Sequence, residues 1–200
     1  MICFACEYTL RLTLYFHSHL GISAIFTSMK VKDINTALEL PIMERFYTIQ
    51  GEGNYSGRAA YFIRLAGCDV GCVWCDVKES WNADLHPPTL ADTIVANVTK
   101  NAKTVVITGG EPLMWSMDYI TNLLQKNNIK THIETSGAYS FSGKWDWFCL
   151  SPKKTKLPLA ECYPEADELK MIIHNTSDFD FAEQEAAKIS GKCKLYLQPE

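Results

Sequence analysis

Residues 104–112 read Thr-Val-Val-Ile-Thr-Gly-Gly-Glu-Pro. Val105-Val106-Ile107 is an unbroken β-branched run, the composition of a buried strand, and two glycines end it almost at once. A strand that stops on Gly-Gly bares its backbone at the carboxyl end, which is where α/β folds seat their ligands. Working outward, comparable apolar runs recur at 42–48, 60–65, 130–134, 147–150, 169–173 and 194–197. Between several of them lie stretches of helical spacing: 90–100 with Thr89 as N-cap, 117–125, and 179–189 after Ser177. This alternation predicts an α/β fold, a mostly parallel sheet with helices on its outside, either open or curled into a partial barrel.

The chain has 200 residues, 47% hydrophobic and 21% charged, enough for one domain with a sizeable core. Nineteen Lys and Arg against 23 Asp and Glu give a net charge of -4 without any run of like charge. Such a chain has nothing with which to track a phosphate backbone, so no nucleic-acid partner is expected. Residues 1–28 are apolar-rich, but Glu7, Arg11, His17 and His19 interrupt them too often for a spanning helix. Met29 opens an ordinary protein start, so 1–28 is read as a non-native or disordered N-terminal extension and 29–200 as the functional domain. The last run is followed only by Gln198-Pro199-Glu200, with no covering helix, which predicts an incomplete C-terminus.

Eight cysteines are unevenly spread: Cys68, Cys72 and Cys75 share one loop, while Cys3, Cys6, Cys149, Cys162 and Cys193 are scattered. A secreted disulfide scaffold is denser and shorter, so thiolate ligation in a reducing compartment is the better reading, and it places the chain in the cytoplasm. Cys3-x-x-Cys6 has no partner pair and is read as incidental. The triplet is C-x3-C-x2-C, directly after the 60–65 run. Cysteine fills 8 of 200 positions, so chance would produce such a triplet in roughly one chain of this composition in a hundred. Structural zinc asks for a fourth Cys or His close by, and ordinary ferredoxin clusters also use four cysteines. Three thiolates on an iron cluster leave one iron open to another ligand.

C-x3-C-x2-C with an aromatic, here Trp74, before its last cysteine resembles the cluster signature of the radical S-adenosylmethionine (SAM) superfamily, and Gly109-Gly110-Glu111-Pro112 resembles its second mark. The resemblance implies a 4Fe-4S cluster on Cys68, Cys72 and Cys75, SAM on the open iron, and a 5'-deoxyadenosyl radical. Within the superfamily the chain is similar, from about Leu40 onward, to the 7-carboxy-7-deazaguanine synthase family. The matching segments are Tyr47-Thr-Ile-Gln-Gly-Glu-Gly53, Arg64, Glu134-Thr-Ser-Gly137 and Ser151-Pro-Lys153.

That family converts 6-carboxy-5,6,7,8-tetrahydropterin to 7-carboxy-7-deazaguanine with loss of ammonia, on the route to queuosine. The likeness implies substrate contacts from Ile49, Gln50, Gly51, Glu52, Arg64 and Thr108. It implies SAM contacts from Trp74, Gly110, Glu134, Ser136, Ser151, Pro152, Lys153, Gln198, Pro199 and Glu200. Gln50 and Glu52 suit the N–H and carbonyl edge of a pterin, and Arg64 suits a carboxylate. The family's magnesium-holding threonine is Val77 here, which puts Mg2+ in doubt, and a shortened C-terminal lid is expected to impair substrate retention. An electron donor such as flavodoxin or ferredoxin and a homodimer are implied as partners.

Each feature also has a plainer reading. Gln-Gly-Glu-Gly is often only a turn, Arg64 would serve in a structural ion pair, and Glu134 would cap a strand. His132 and His174 read as core histidines, Cys149 as packing, and Cys162 and Cys193 as incidental surface thiols. Two other functions compete: a glycyl-radical activase, which would need a protein-docking groove, and a non-catalytic iron-sulfur or zinc module.

Overall fold

Strand β4 (Thr104–Gly109) shows how the sheet sorts its residues. Val105 and Ile107 are fully buried among the helices, while Val106 and Thr108 point to the other face, the two-residue period of a pleated strand. A computed structural model describes residues 38–98 and 102–200 of the chain. The expectations for 1–28 and for Cys3-x-x-Cys6 lie outside the described residues.

The elements run β1 (Glu39–Ile49), β2 (Ala59–Leu65), β3 (Pro88–Leu90), α1 (Ala91–Ala96), β4, α2 (Asp118–Lys126), β5 (Lys130–Thr135), β6 (Trp147–Leu150), β7 (Glu168–Ile173), α3 (Ser177–Ala186) and β8 (Lys194–Pro199). They form one sheet in the order β3-β1-β2-β4-β5-β6-β7-β8. From β2 to β8 every pairing is parallel, whereas β1 pairs antiparallel with both β2 and β3. The two ends of the sheet do not meet, so the mostly parallel partial barrel is open.

All seven apolar runs are strands. The short β3 is additional, and it corrects the start of the first helix. Thr89 pairs with Leu40 across the β1–β3 ladder, so its backbone is committed to the sheet. Leu90 caps α1 without a side-chain bond, and the Ala91 N–H instead donates to the Leu38 carbonyl at 2.7 Å.

The outer face carries Ile63, Leu65, Ile107, Ile133, Leu150 and Leu169, each at most 1% exposed, packed with Ile94, Ile120 and Leu124 of the helices. In α2 the spacing of Ile120 and Leu124 puts both on one side, and their burial supplies the helix's hold on the sheet. The inner face starts from a small apolar floor, Ala60, Phe62 and Val106 with Phe46 against it, and becomes polar toward the carboxyl ends of the strands. Among the described residues no helix is long and apolar enough to cross a membrane.

His132 lies on this inner face at 5% exposure, its ring 4.5 Å from that of Tyr55 and 6.5 Å from that of Trp147. It is the core histidine the sequence suggests. Burial holds its imidazole down at about 4, against an ordinary 6.5. The unfolded chain therefore binds a proton between those values that the native site refuses, so stability is complete above pH 6.5 and falls as pH drops toward 4. The gap corresponds to about 3 kcal/mol. His132→Phe is expected to keep the ring packing and flatten the decline of Tm between pH 6.5 and 4; a variant whose melting temperature falls as steeply as the parent's would contradict this.

His174 differs from its expected role. It follows the end of β7, exposed, with Nδ1 against a Glu200 carboxylate oxygen. Cys162 differs too: it is fully buried, its thiol directed at the Gly137 carbonyl 3.5 Å away. The turn Ala160–Cys162 folds it under the loop that leaves β5, a placement that local sequence does not reveal.

Candidate active site

The carboxyl ends of the parallel strands surround an open cavity of about 510 Å3. The loop after β2 enters it first. Gly67 N–H donates to the Ser80 carbonyl at 2.6 Å and Cys68 N–H to that of Trp81 at 3.2 Å, closing residues 67–81 into a loop tied at its base. The thiols of Cys68, Cys72 and Cys75 are half-buried and all line the cavity. Burial pushes the Cys68 thiol up to about 11 and raises that of Cys72, so iron must displace protons to bind there.

The donor set fits a cluster rather than a single ion. Three soft thiolates in one eight-residue loop have the chemistry that suits an iron-sulfur cluster. Among the described residues no three His, Cys, Asp or Glu side chains converge on one point, as a lone metal ion would require. Thiolates that each bind a different iron need no such convergence.

Gly110 packs the second motif against this loop. Its N–H donates to the Leu65 carbonyl at 2.7 Å, and a Cβ at this position would sit 2.4 Å from the Gly67 carbonyl oxygen. Only glycine permits that approach. Glu111 then turns into the protein at 1% exposure. It accepts from Leu113 N–H at 3.0 Å, Ser136 N–H at 2.8 Å, Ser136 Oγ at 2.5 Å and the Thr135 hydroxyl. The ends of β4 and β5 are thereby locked together.

After β6, the Lys153 ammonium donates to the Ser151 carbonyl at 2.6 Å and its Oγ at 2.7 Å, and lies 5.6 Å from the centre of the Trp74 ring. Burial pulls the lysine below its usual value. Asp69 of the cysteine loop meets Lys156 at 2.9 Å, a second tie between the two segments.

A separate polar set is built from β1, β5 and β7. Gln50 Nε2 donates to Glu134 Oε1 at 2.7 Å, and Lys170 Nζ reaches Glu52 at 2.7 Å and Glu134 at 2.9 Å. The turn Gly53–Tyr55 is pinned by Glu168, which accepts from Asn54 N–H at 3.1 Å and Trp147 Nε1 at 3.0 Å. Gly53 has φ +67°, and a Cβ there would fall 2.0 Å from a Glu168 oxygen. Arg64 Nε lies 2.8 Å from Glu44, yet off the N–H direction, so this buried donor has no hydrogen bond.

Of the expected site residues, the structure brings all to the cavity wall except Ile49 and Pro152. Ile49 is 62% exposed because it shares the outward parity of Tyr47 on β1, whereas Phe46 faces inward. Pro152 is buried next to the wall between Ser151 and Lys153. Val77 lines the cavity without an oxygen to offer, beside Asp76. Lys170 and the inward role of Glu111 are not apparent in the sequence reading. The available signal for Lys170 was one charge inside the apolar run Leu-Lys-Met-Ile-Ile at 169–173.

The Radical SAM superfamily model matches residues 62–144. The chain is 62% identical over 176 residues to a 7-carboxy-7-deazaguanine synthase of Flavobacterium psychrophilum, covering 86% of this chain and 84% of that one. A synthase of the same name from Synechocystis sp. is 51% identical, with 80% and 77% covered. The crystal structure of QueE from Escherichia coli superposes with a TM-score of 0.73 at 31% identity, over 80% of this chain and 83% of that chain.

Proposed function

This chain belongs to the 7-carboxy-7-deazaguanine synthase family of the radical SAM superfamily, and from that premise we propose how its cavity performs the family's reaction, the conversion of 6-carboxy-5,6,7,8-tetrahydropterin to 7-carboxy-7-deazaguanine with release of ammonia. One observation carries the reading. The same cavity is lined by the three half-buried thiols and by the polar set of Gln50, Glu52, Arg64 and Glu134.

Cys68, Cys72 and Cys75 hold the 4Fe-4S cluster, and Gly110 with Ser151 and Lys153 holds SAM. When bound, these cofactors supply the one-electron chemistry that removes a hydrogen atom from the substrate. The chain's own groups bind and orient. Gly110 lets the backbone approach the ligand, and Lys153, fixed by Ser151 and Trp74, supplies a cation for a carboxylate.

Because Glu134 bonds Gln50 and shares Lys170 with Glu52, we assign it to the pterin, whose N–H groups require acceptors. Arg64 meets the substrate carboxylate: its guanidinium lines the cavity while Nε is paired with Glu44, which orients the fork. Val73, at the tip of the cysteine loop and 75% exposed, leaves that loop within reach of a one-electron donor.

Magnesium fits these residues poorly. Asp76 is a carboxylate on the cysteine loop at the cavity wall, Val77 adds no oxygen, and no three-residue acidic, His or Cys cluster is present among the described residues. We assign no step to it.

The test is anaerobic turnover of the reconstituted protein with dithionite, SAM and 6-carboxytetrahydropterin, read by mass spectrometry with and without magnesium. Formation of 7-carboxy-7-deazaguanine in both is expected. Accumulation of 5'-deoxyadenosine alone would reject the substrate, and absence of both products from a cluster-loaded sample would reject the catalytic reading.

A further inference from the structure

Lys170 sits at the centre of an inner-face strand at 5% exposure. Its ammonium is shared between two carboxylates from distant elements, Glu52 after β1 and Glu134 on β5. Burial by itself would lower its pKa, but the carboxylates of Glu134 and Glu52 beside it outweigh that and hold it above the ordinary lysine value, so it carries its charge. Packing alone does not call for a charge here. An ammonium loses its hydration on burial, and a buried ion pair is on balance weak as a source of stability. Cys149 and Glu168 bond each other at 3.6 Å, and the Lys170 ammonium donates to Glu52 and Glu134.

The consequence is geometric. Glu134 has one oxygen on Gln50 and the other on Lys170, and Glu52 has one oxygen on Lys170. Two like charges that would repel are held close, with lone pairs left over to accept from a ligand. Resting on the function proposed above, we propose that Lys170 is the positioning residue for pterin selection, bridging Glu52 and Glu134 into a paired acceptor that selects a heterocycle edge carrying adjacent N–H donors. Lys170 acts through the two carboxylates and takes no part in the chemical step.

Lys170→Met tests this in the cluster-loaded enzyme, with 6-carboxytetrahydropterin and its 2-desamino analogue, which lacks the exocyclic donor. The KM for the pterin is expected to rise about 10- to 100-fold, the worth of a charge-assisted hydrogen bond. The KM for SAM and kcat stay within about threefold. The analogue should bind the parent at least tenfold more weakly than the pterin does, and this discrimination should shrink to about twofold in the variant. Lys170→Arg, which keeps the charge, should recover most of the pterin KM. If Lys170→Met does not fold, Lys170→Gln keeps N–H donors for the carboxylates but not the charge that holds them together, and should show the same loss of discrimination. An unchanged pterin KM, or equal discrimination in parent and variant, overturns the proposal. A uniform loss, with kcat lowered and the KM for both the pterin and SAM raised alike, shows a merely structural lysine and overturns it as well. Failure of the parent to turn over the pterin would instead refute the function itself.

Discussion

Cys72→Ala is expected to yield a folded protein with turnover reduced by at least about a thousandfold, because on the proposed function the three thiolates of the loop would together hold the cluster and none is duplicated. The loop owes its closure to backbone bonds, Gly67 to Ser80 and Cys68 to Trp81, which do not involve the thiols. Its fold should therefore survive. Among the described residues no other cysteine is placed to substitute: Cys149 is 4% exposed with its thiol on Glu168, Cys162 is 0% exposed and turned to Gly137, and Cys193 is outside the cavity lining. The same outcome is expected at Cys68 and Cys75, while Cys193→Ala, outside the cavity lining, should leave activity intact. Iron and acid-labile sulfide per chain, measured with turnover after anaerobic reconstitution, check the expectation. Full iron content with turnover within tenfold of the parent would show that the loop is not the cluster site.

The second large effect is expected at Glu111, through stability. Its carboxylate is the acceptor for four donors, Leu113 N–H, Ser136 N–H and the hydroxyls of Thr135 and Ser136, all away from water. Glu111→Ala leaves these without their partner and opens a void, at a cost of about 3–5 kcal/mol. That is a large part of the roughly 5–15 kcal/mol that holds a domain folded. Glu111→Gln is the sharper variant. It keeps the shape but turns one acceptor oxygen into a donor facing donors, so it should rescue little and still cost about 2 kcal/mol. Urea denaturation of the two variants beside the parent measures this. Since Gly110 and Ser136 both line the cavity next to Glu111, the KM for SAM should rise as well. A Gln variant as stable as the parent would mean the carboxylate is not the acceptor hub its contacts describe.

The seven strand runs were legible because the feature that marks them, a short run rich in aliphatic, β-branched or aromatic residues, is local. The cysteine loop and Gly-Gly-Glu-Pro were legible for the same reason: each motif is complete within a few residues of chain. Boundaries were less so. Thr89 has the chemistry of an N-cap, but pairing with Leu40 recruited its backbone into β3, a tertiary contact that outweighed a local preference. Ile49 belongs to the right motif yet points outward, because pleat parity on β1 is set by its register with β2.

What the sequence by itself determined is the class of chemistry and the fold that carries it: three thiolates in a loop after one parallel strand, and a glycine turn after the next. Tertiary structure alone decided which charges meet. Lys170 and Glu52 are separated by 118 residues, and Glu168 and Asn54 by 114, yet β7 pins the segment after β1 at both points. Glu111, named by its motif, became an inward acceptor only because β4 and β5 are neighbours in the sheet. The physical reason is that ligand-bearing loops are encoded along the chain, whereas a buried charge finds its partners across strands, where the order and register of the sheet set the distance.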